Sequence, residues 1–482
     1  MVGIISAGSY IPSFRLDRTE LARAWGGDVR GTRAVAGVDE DTTTLAVEAA
    51  RIALRRSGKA ADVSAVYFAT TAPAYTDKTN ATAIHAALRL DPDAAAYDLT
   101  GAVRSGAAAV RAACDHAAAG GTALAVIADL RGGRAGSAAE SESGDAAVAL
   151  LIGDGDHVIA DLTATASRTA EFVDRARIDH DTAVVWEERF GEGRYRALAQ
   201  EVAAALESET GIDLALVDSV VIGGPHRRVL RALPKALGVV DTAMARMIDG
   251  AIGNAGSAHT WLLLCGALED AAAGHSVVAL SVADGVDAFA FRTTDAIGAW
   301  RATIAPASTV EHHTEAAGKK VDYPVFLTWR GQLRREPPRR PDPTPPSPPA
   351  SARATAWKFG LVAGRCTACG VRNVPPQLVC LSCGAVDSMS DEPMADVPAA
   401  VRTYTVDRLA FSLSPPTVFA VVDFDGGGRF QCELTDVDED ELSVGLRVEP
   451  TFRRLSTTNG LHNYFWKTRP TRPAGRATDG KS

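Results

Sequence analysis

Asp98-Leu99-Thr100-Gly101-Ala102-Val103-Arg104-Ser105-Gly106-Ala107-Ala108-Ala109-Val110 is the stretch around which the chain is organised. It reads as a turn followed by a small-residue helix that runs to about Ala119. Ser105 to Ala109 carry almost no side-chain volume, so neighbours can pack against this helix on every side. The N-terminus of a buried helix presents free N–H groups and the positive end of its dipole, a place to hold a thiolate or an oxyanion. The side chain at this turn is Val103, which has neither a proton to lose nor a lone pair.

The chain has 482 residues, too many for one core, and its length suits two or three domains. Its formal net charge of -9 argues against general nucleic-acid binding, which needs a basic surface. Met1-Val2-Gly3-Ile4-Ile5-Ser6 has no basic region and no long apolar run, so it is expected to be a first β-strand and not a signal peptide. No apolar run approaches a membrane span, so no membrane contact is expected. The seven cysteines are an odd number, and four fall within 18 residues. That is metal-site usage in a reducing compartment; it points to a cytoplasmic protein without a disulfide framework.

Residues 2–8 predict a strand and Tyr10-Ile11-Pro12 a turn. Asp39-Glu40-Asp41 places carboxylates at a helix start, where the dipole favours them. Leu45, Ala49, Ile52 and Ala53 follow at helical spacing, and Gly58 closes that helix. Apolar strands are expected over 65–70, 122–128 and 145–152, with a helix over 82–90 before the Asp98 turn. The order then repeats. Ser219-Val220-Val221-Ile222 is a strand ending in Gly223-Gly224-Pro225, and a helix covers about 228–237. Ile252-Gly253-Asn254-Ala255-Gly256-Ser257-Ala258 is a Gly-rich turn opening an apolar helix, and strands follow over 277–282 and 287–293. Strands alternating with helices indicate a layered α/β fold, duplicated over 1–160 and 161–333.

A Pro-rich linker is expected over 334–356; its prolines favour an extended spacer, and Arg334, Arg335, Arg339 and Arg340 make it basic. It reads either as a solvated hinge or as a contact for anionic phosphates. Cys366-Thr367-Ala368-Cys369 and Cys380-Leu381-Ser382-Cys383 then form two knuckles ten residues apart. Each directs two sulfurs at one ion, and four thiolates suit tetrahedral Zn²⁺ with no open position, hence a structural site in a ribbon over 357–392. Short strands with a Gly426-Gly427-Gly428 hairpin turn predict a small β-barrel over 393–470. The acidic run Asp436, Asp438, Glu439, Asp440 and Glu441 repels phosphate backbones, so no nucleic acid is expected on the barrel. Residues 471–482 read as a disordered tail.

Several phrases resemble the thiolase superfamily in its hydroxymethylglutaryl-CoA synthase-like branch. They are the 98–110 stretch, Gly3-Ile4-Ile5-Ser6 with Tyr10-Ile11-Pro12, Asp39-Glu40-Asp41-Thr42, Gly144-Asp145-Ala146-Ala147-Val148, Trp186-Glu187-Glu188-Arg189-Phe190, Gly253-Asn254 and Asp287-Ala288-Phe289. The ribbon and barrel resemble OB-fold, acyl-CoA-associated proteins. The resemblance implies a duplicated thiolase-like fold, a coenzyme A thioester as substrate, and a dimer with a second copy or with another thiolase-like chain. The strand over 122–128 is the edge expected to carry that pairing.

The family nucleophile is a cysteine followed by lysine, and these positions fall on Val103 and Arg104. Its glutamate falls on Thr71. Its histidine falls on Gly223, with Gly224 next and His226 three positions after Gly223. The resemblance therefore implies an acyl-CoA site that contains Val103, Arg104, Gly223 and Gly224 but lacks the nucleophile. Three polar side chains are candidates for chemistry. His226 reads as a base or as a helix-start residue, Tyr75 as a proton donor or as packing over the site mouth. Asn254 reads as a donor to a thioester oxygen or as a turn residue. His259 reads as a buried, satisfied histidine and Asp287 as a residue holding backbone at a strand start. Cys114, about 16 Å along the helix from Val103, and Cys265 and Cys432 read as core thiols. Three functions fit: a retro-aldol carbon–carbon lyase on a β-hydroxyacyl-CoA, a non-catalytic CoA-binding subunit, or a Claisen-type synthase.

Overall fold

The computed structural model describes residues 1–57, 62–178, 184–186, 188–339, 341 and 343–471. Gly58, Glu187, Arg340 and the tail from residue 472 lie outside the described residues. No helix among them is long and apolar enough to cross a membrane.

The duplication is visible in the strand pairing. In the first half Ala65–Thr70 runs parallel to Ala123–Leu130, which pairs antiparallel with Asp145–Asp154, which pairs antiparallel with Val2–Tyr10. In the second half Ser219–Gly223 runs parallel to Ser276–Val282, which pairs antiparallel with Gly285–Thr293, which pairs antiparallel with Ala160–Thr169. The halves join where Gly3 and Ile4 meet Asp161 and Ala160, making one nine-stranded sheet. Gly3 permits the junction, because a Cβ there would sit 2.2 Å from the Ala160 carbonyl oxygen.

The run 123–128 is apolar throughout because both of its faces are covered. Ala123, Ala125 and Ile127 face a core that contains the helices Ser105–Ala118 and His259–Asp270, whereas Leu124, Val126 and Ala128 face the helix Thr42–Arg56. The two central helices pack together at Gly106, where a Cβ would lie 2.4 Å from the Ser257 carbonyl oxygen. The helix Glu188–Thr210 covers the second half as Thr42–Arg56 covers the first.

Two expectations change here. The strand Ala123–Leu130 is no edge: it has hydrogen-bonded neighbours on both sides, and the edge of the first half is Ala95–Thr100. An apolar run signals burial on both faces, not an unpaired side. The second change concerns Asp39 and Glu40. Asp41 caps the helix in a reciprocal box with Thr44, but Asp39 and Glu40 are turned into buried ion pairs with the C-terminal barrel.

That barrel is closed, in the order Ala399–Asp407, Thr417–Phe424, Arg429–Leu434, Leu461–Pro470, Arg447–Thr458. The ribbon before it has the strands Val362–Cys366, Arg372–Asn373 and Met389–Pro393. The linker is not extended throughout, since Pro348 and Pro349 open a helix, Pro348–Arg353, in the first turn where proline is tolerated. The barrel sits directly on Thr42–Arg56: Phe452, Tyr464 and Trp466 share a core with Leu45 and Ala49. Around that core Arg453, fully buried, contacts Glu40 and lies 2.8 Å from Asp436. Arg469 lies 3.2 Å from Glu48 and Lys467 3.0 Å from Asp39. The acidic run is engaged too, with Lys319 3.0 Å from Asp438 and 2.8 Å from Glu441.

Candidate functional site

Asp129 builds the floor of the site. It stands at the end of Ala123–Leu130 and is fully buried. One carboxylate oxygen accepts from the Thr71 amide at 2.7 Å and the Thr71 hydroxyl at 2.9 Å. The other accepts from the Ser257 amide at 2.8 Å and the Ser257 hydroxyl at 2.9 Å. One side chain therefore ties the end of Ala65–Thr70 to the Gly-rich turn of the second half. Its sequence signal was an aspartate inside an apolar strand, Ala128-Asp129-Leu130, which sequence reasoning passed over.

Above this floor Val103, 9 % exposed, lines a cavity of about 100 Å³ with Thr71, Arg131, Asp174, Arg175, Arg177, Tyr195 and Pro225. No thiol lines it. Arg131 donates to the Thr71 hydroxyl at 3.0 Å, and Arg177 donates to the Thr71 carbonyl. Burial and the adjacent Arg131 and Arg177 push Arg175 down to about 10. The result is a cationic wall beside Val103. A second cavity of about 40 Å³ shares Arg131, Arg175 and Pro225 with the first and is also lined by Asn254 and Arg227.

The sequence candidates are only partly brought together. Val103 is on the cavity wall. Arg104 turns away: it lies 2.8 Å from Asp287, donates to the Asp284 carbonyl, and so clamps the nucleophile turn to the second half. Asp287 thus holds the side chains of Arg104 and Ser167, where backbone was expected. Gly223 and Gly224 lie behind the wall, packed so closely on Thr260 and on the Val282 carbonyl that no Cβ fits; Pro225 after them lines the cavity. Asn254 donates to the Gly224 carbonyl at 2.8 Å and accepts from the Gly256 amide at 2.9 Å, so its amide is spent on joining two turns. Tyr75 stands elsewhere, at the barrel interface, where its hydroxyl accepts from the His462 amide at 2.7 Å. His226 is buried behind Asp174, with Nε2 2.6 Å from a carboxylate oxygen. Asp174, Tyr195 and the three arginines were not singled out in the sequence, because loop residues remote in the chain meet only through the fold.

His259 is fully buried, and burial lowers its pKa. Cys114 and Cys265 are buried core thiols; burial pushes Cys114 up to about 12 and raises Cys265 further. Neither lines the cavity. A larger cleft, about 790 Å³, lies away from this chemistry, between the barrel and the segment around Trp329 and Arg335.

In the ribbon the sulfurs of Cys366, Cys369, Cys380 and Cys383 all lie within 4.8 Å of one another. The Cys366–Cys383 and Cys369–Cys380 separations are 3.7 and 3.6 Å. Four sulfurs at the Zn–S distance of about 2.3 Å stand about 3.8 Å apart on a tetrahedron, so these residues fit a zinc ion. The Cys383 amide and, at 3.4 Å, the Ser382 amide point at the Cys380 sulfur and favour its thiolate. With four protein ligands such an ion organises the ribbon and offers no open position for a substrate.

Residues 360–387 match the ChsH2 rubredoxin-like zinc ribbon domain, and residues 392–453 match the ChsH2 C-terminal OB-fold domain. Among solved structures, an HMG-CoA synthase complexed with CoA superposes with a TM-score of 0.59 at 18 % identity, covering 68 % of this chain and 89 % of that one. The 3-oxoacyl-(acyl carrier protein) synthase III of Pseudomonas aeruginosa superposes with a TM-score of 0.53 at 21 % identity, over 61 % of this chain and 98 % of that one. These likenesses carry the thiolase-like fold. Sequence relatives carry more. The hydroxymethylglutaryl-CoA synthase of Methanosphaera stadtmanae is 31 % identical over 349 residues, 69 % of this chain and 99 % of that protein. That of Archaeoglobus fulgidus is 31 % identical over 349 residues, 69 % of this chain and 100 % of that protein. With nearly the full length of those relatives contained in it, the chain belongs to the hydroxymethylglutaryl-CoA synthase family and carries a zinc ribbon and OB-fold barrel in addition.

Proposed function

We propose that this chain binds a short-chain acyl-CoA non-covalently at the Val103 turn and makes or breaks a carbon–carbon bond by aldol chemistry at the thioester α carbon, as a lyase on a β-hydroxyacyl-CoA. The observation that carries this is the composition of one cavity: Val103 faces Arg131, Arg175 and Arg177, and no thiol lines the wall. A cysteinyl acyl-enzyme has no sulfur to form on there. A negative charge developing on a thioester oxygen is stabilised by these guanidinium groups, Arg131 and Arg175 half-buried and Arg177 exposed. About 100 Å³ suits an acyl group of a few carbons. Two neighbours in the fold, an HMG-CoA synthase complexed with CoA and MvaS in complex with 3-hydroxy-3-methylglutaryl coenzyme A, support a CoA thioester here.

Arg104, Gly223, Gly224 and Asn254 support this site from behind by holding its turns together. A CoA-binding subunit without turnover is the second reading, favoured by Thr71 and Gly223, which offer no titratable group. A Claisen-type synthase is the third; it needs a thiol within reach, and Cys114 and Cys265 are buried away from the cavity. The pairing edge we assign to Ala95–Thr100, whose outer side has no strand beside it among the described residues; a second copy or another thiolase-like chain fits it. A cytoplasmic setting suits a free-thiol zinc site.

The test is purified, zinc-loaded protein incubated with a panel of acyl-CoAs, followed by intact-protein and small-molecule mass spectrometry. Cleavage or condensation products with unmodified protein mass support the lyase. Binding with no product from the chain alone, and product on adding a thiolase-like partner, supports the subunit reading. A covalent adduct on Cys114 or Cys265 overturns both in favour of the synthase.

A further inference from the structure

We propose that Asp174 and His226 form the proton-transferring pair of this site. The inference rests on the acyl-CoA reading above and supplies what that reading lacks, a base. Enolate chemistry needs a group that takes a proton from carbon or from a β-hydroxyl, within hydrogen-bond reach of the substrate. Among the residues on the cavity wall Thr71 and the arginines are excluded as bases, and Tyr195 is held protonated by burial beside a carboxylate. Among the described residues of the wall two carboxyls remain, Asp174 and Asp284.

Their surroundings separate them. Asp174 is 3 % exposed, and one of its carboxylate oxygens lies 2.6 Å from His226 Nε2, itself on a residue 7 % exposed. This contact, with the Tyr195 hydroxyl beside it, lowers the Asp174 carboxyl below its usual range and keeps it ionised. Among the described residues Asp284 has no such partner; its carboxyl is raised by burial, and its backbone serves instead, the carbonyl accepting from Arg104 and the amide donating to the Tyr195 hydroxyl at 3.2 Å.

Three remote elements build the pair, which argues for a constructed site. Asp174 precedes the short strand Arg175–Ala176, and its carbonyl accepts from the Trp186 amide at 2.7 Å. His226 stands at the N-cap position of the helix Arg227–Ala236, its side chain making no capping hydrogen bond, where Gly223-Gly224-Pro225 leaves the sheet. Tyr195 comes from Glu188–Thr210 and is braced edge-on by Phe172 at 5.1 Å.

The step balances as follows. The Asp174 carboxylate takes the proton from the thioester α carbon. The Cα–H pair moves into the enolate, and the charge passes to the thioester oxygen facing the arginines. The proton rests on the Asp174–His226 pair, whose imidazole stabilises it. Return of that proton, or of a solvent deuteron exchanged for it, restores the thioester. In the lyase direction the same carboxylate takes the β-hydroxyl proton, the Cα–Cβ bond breaks, and the enolate is protonated afterwards. Asp174 touches the reacting atoms; His226 acts through it as a positioning residue.

The test is α-hydrogen exchange of acetyl-CoA and propionyl-CoA in D₂O, read by mass spectrometry, with calorimetric binding measured in parallel on the full chain. We expect exchange above the buffer rate for the native protein, and a loss of at least 100-fold in Asp174→Asn with affinity kept within threefold. His226→Ala should lose about tenfold or more and regain activity with added imidazole, which a purely structural role would not produce. If Asp174→Asn fails to fold, the imidazole rescue decides alone. Binding without exchange in the native protein overturns the pair and leaves the acyl-CoA reading standing. Full exchange in Asp174→Asn with loss in Asp284→Asn also overturns it. Absence of any acyl-CoA binding removes both.

Discussion

Asp129 holds Thr71 and Ser257 through four close hydrogen bonds, all inside the protein. Asp129→Ala would leave two buried amides and the Ser257 hydroxyl without this acceptor, and the Thr71 hydroxyl with Arg131 alone, each lost partner costing about 1–3 kcal/mol where water cannot reach. Part of that is recovered by relaxation, so we expect a loss of roughly 2–4 kcal/mol in urea unfolding, without change in secondary structure at low denaturant. Val103 makes the opposite kind of point, since its importance lies in what it cannot do. Val103→Cys places a thiol at the start of a buried helix, where N–H groups and nearby guanidinium groups favour the thiolate. Intact mass after acetyl-CoA should show one acetyl adduct on the variant and none on the native protein. Iodoacetamide should leave native acyl-CoA binding intact, because Cys114 and Cys265 are buried with their thiols pushed up.

At the scale of elements, the small-residue helix is shaped by what crosses it. Ser105–Ala118 approaches the Ser257 turn at Gly106 closely enough that even one methyl group meets backbone, which cannot move aside as a side chain can. Gly106→Val should therefore cost about 1–3 kcal/mol by overpacking and pull the Val103 turn out of register with Asp129, reducing acyl-CoA affinity as well as the melting temperature. The helix Thr42–Arg56 has two duties. Its inner face covers the sheet, and its other residues, Glu48 and Arg51, enter the ion pairs beneath the barrel. That arrangement predicts an acid transition. Arg and Lys partners hold Asp39 and Glu48, both buried, down to about 2, against ordinary values of 3.8 and 4.5. A depressed carboxyl adds stability above its unfolded pKa and loses it as the pH falls through the folded one. Barrel docking should thus hold at pH 5 and fail between about pH 4 and pH 2, read as new protease cleavage before residue 360.

On the scale of the whole molecule, the barrel is a structural part of the chain and not an appendage on a spacer. Arg453 lies within one network that contains Tyr10, Asp39, Glu40 and Asp436, across the joint between the two parts. Removing its charge leaves buried carboxylates uncompensated, so Arg453→Met should destabilise by about 3–5 kcal/mol and free the barrel to proteases. Zinc acts on the same joint, because Leu361, Ala363, Met394 and Ala395 of the ribbon region belong to the core shared by Thr42–Arg56 and the barrel. Metal analysis should give close to one zinc per chain, and Cys380→Ser should lose it and expose everything after the linker to proteolysis. The docked face also bears on nucleic acid, since several of the barrel's basic side chains are already paired with carboxylates of the first half.

Local chemistry was legible in the residues. The α/β order, the repeat, the four-cysteine spacing and the helix caps depend on near neighbours and on period, so they could be read along the chain. Val103 as the occupant of the turn was legible too. The edge strand, the partners of Asp39 and Glu40, and the Asp129 and Asp174–His226 contacts were decided by tertiary structure. Each joins residues tens or hundreds of positions apart, and a polar side chain's role is set by whichever group the fold places within 3 Å of it. An isolated aspartate looks the same in sequence whether it caps a helix, locks two turns together or moves a proton. Only packing, which removes water and leaves one partner within reach, makes them different.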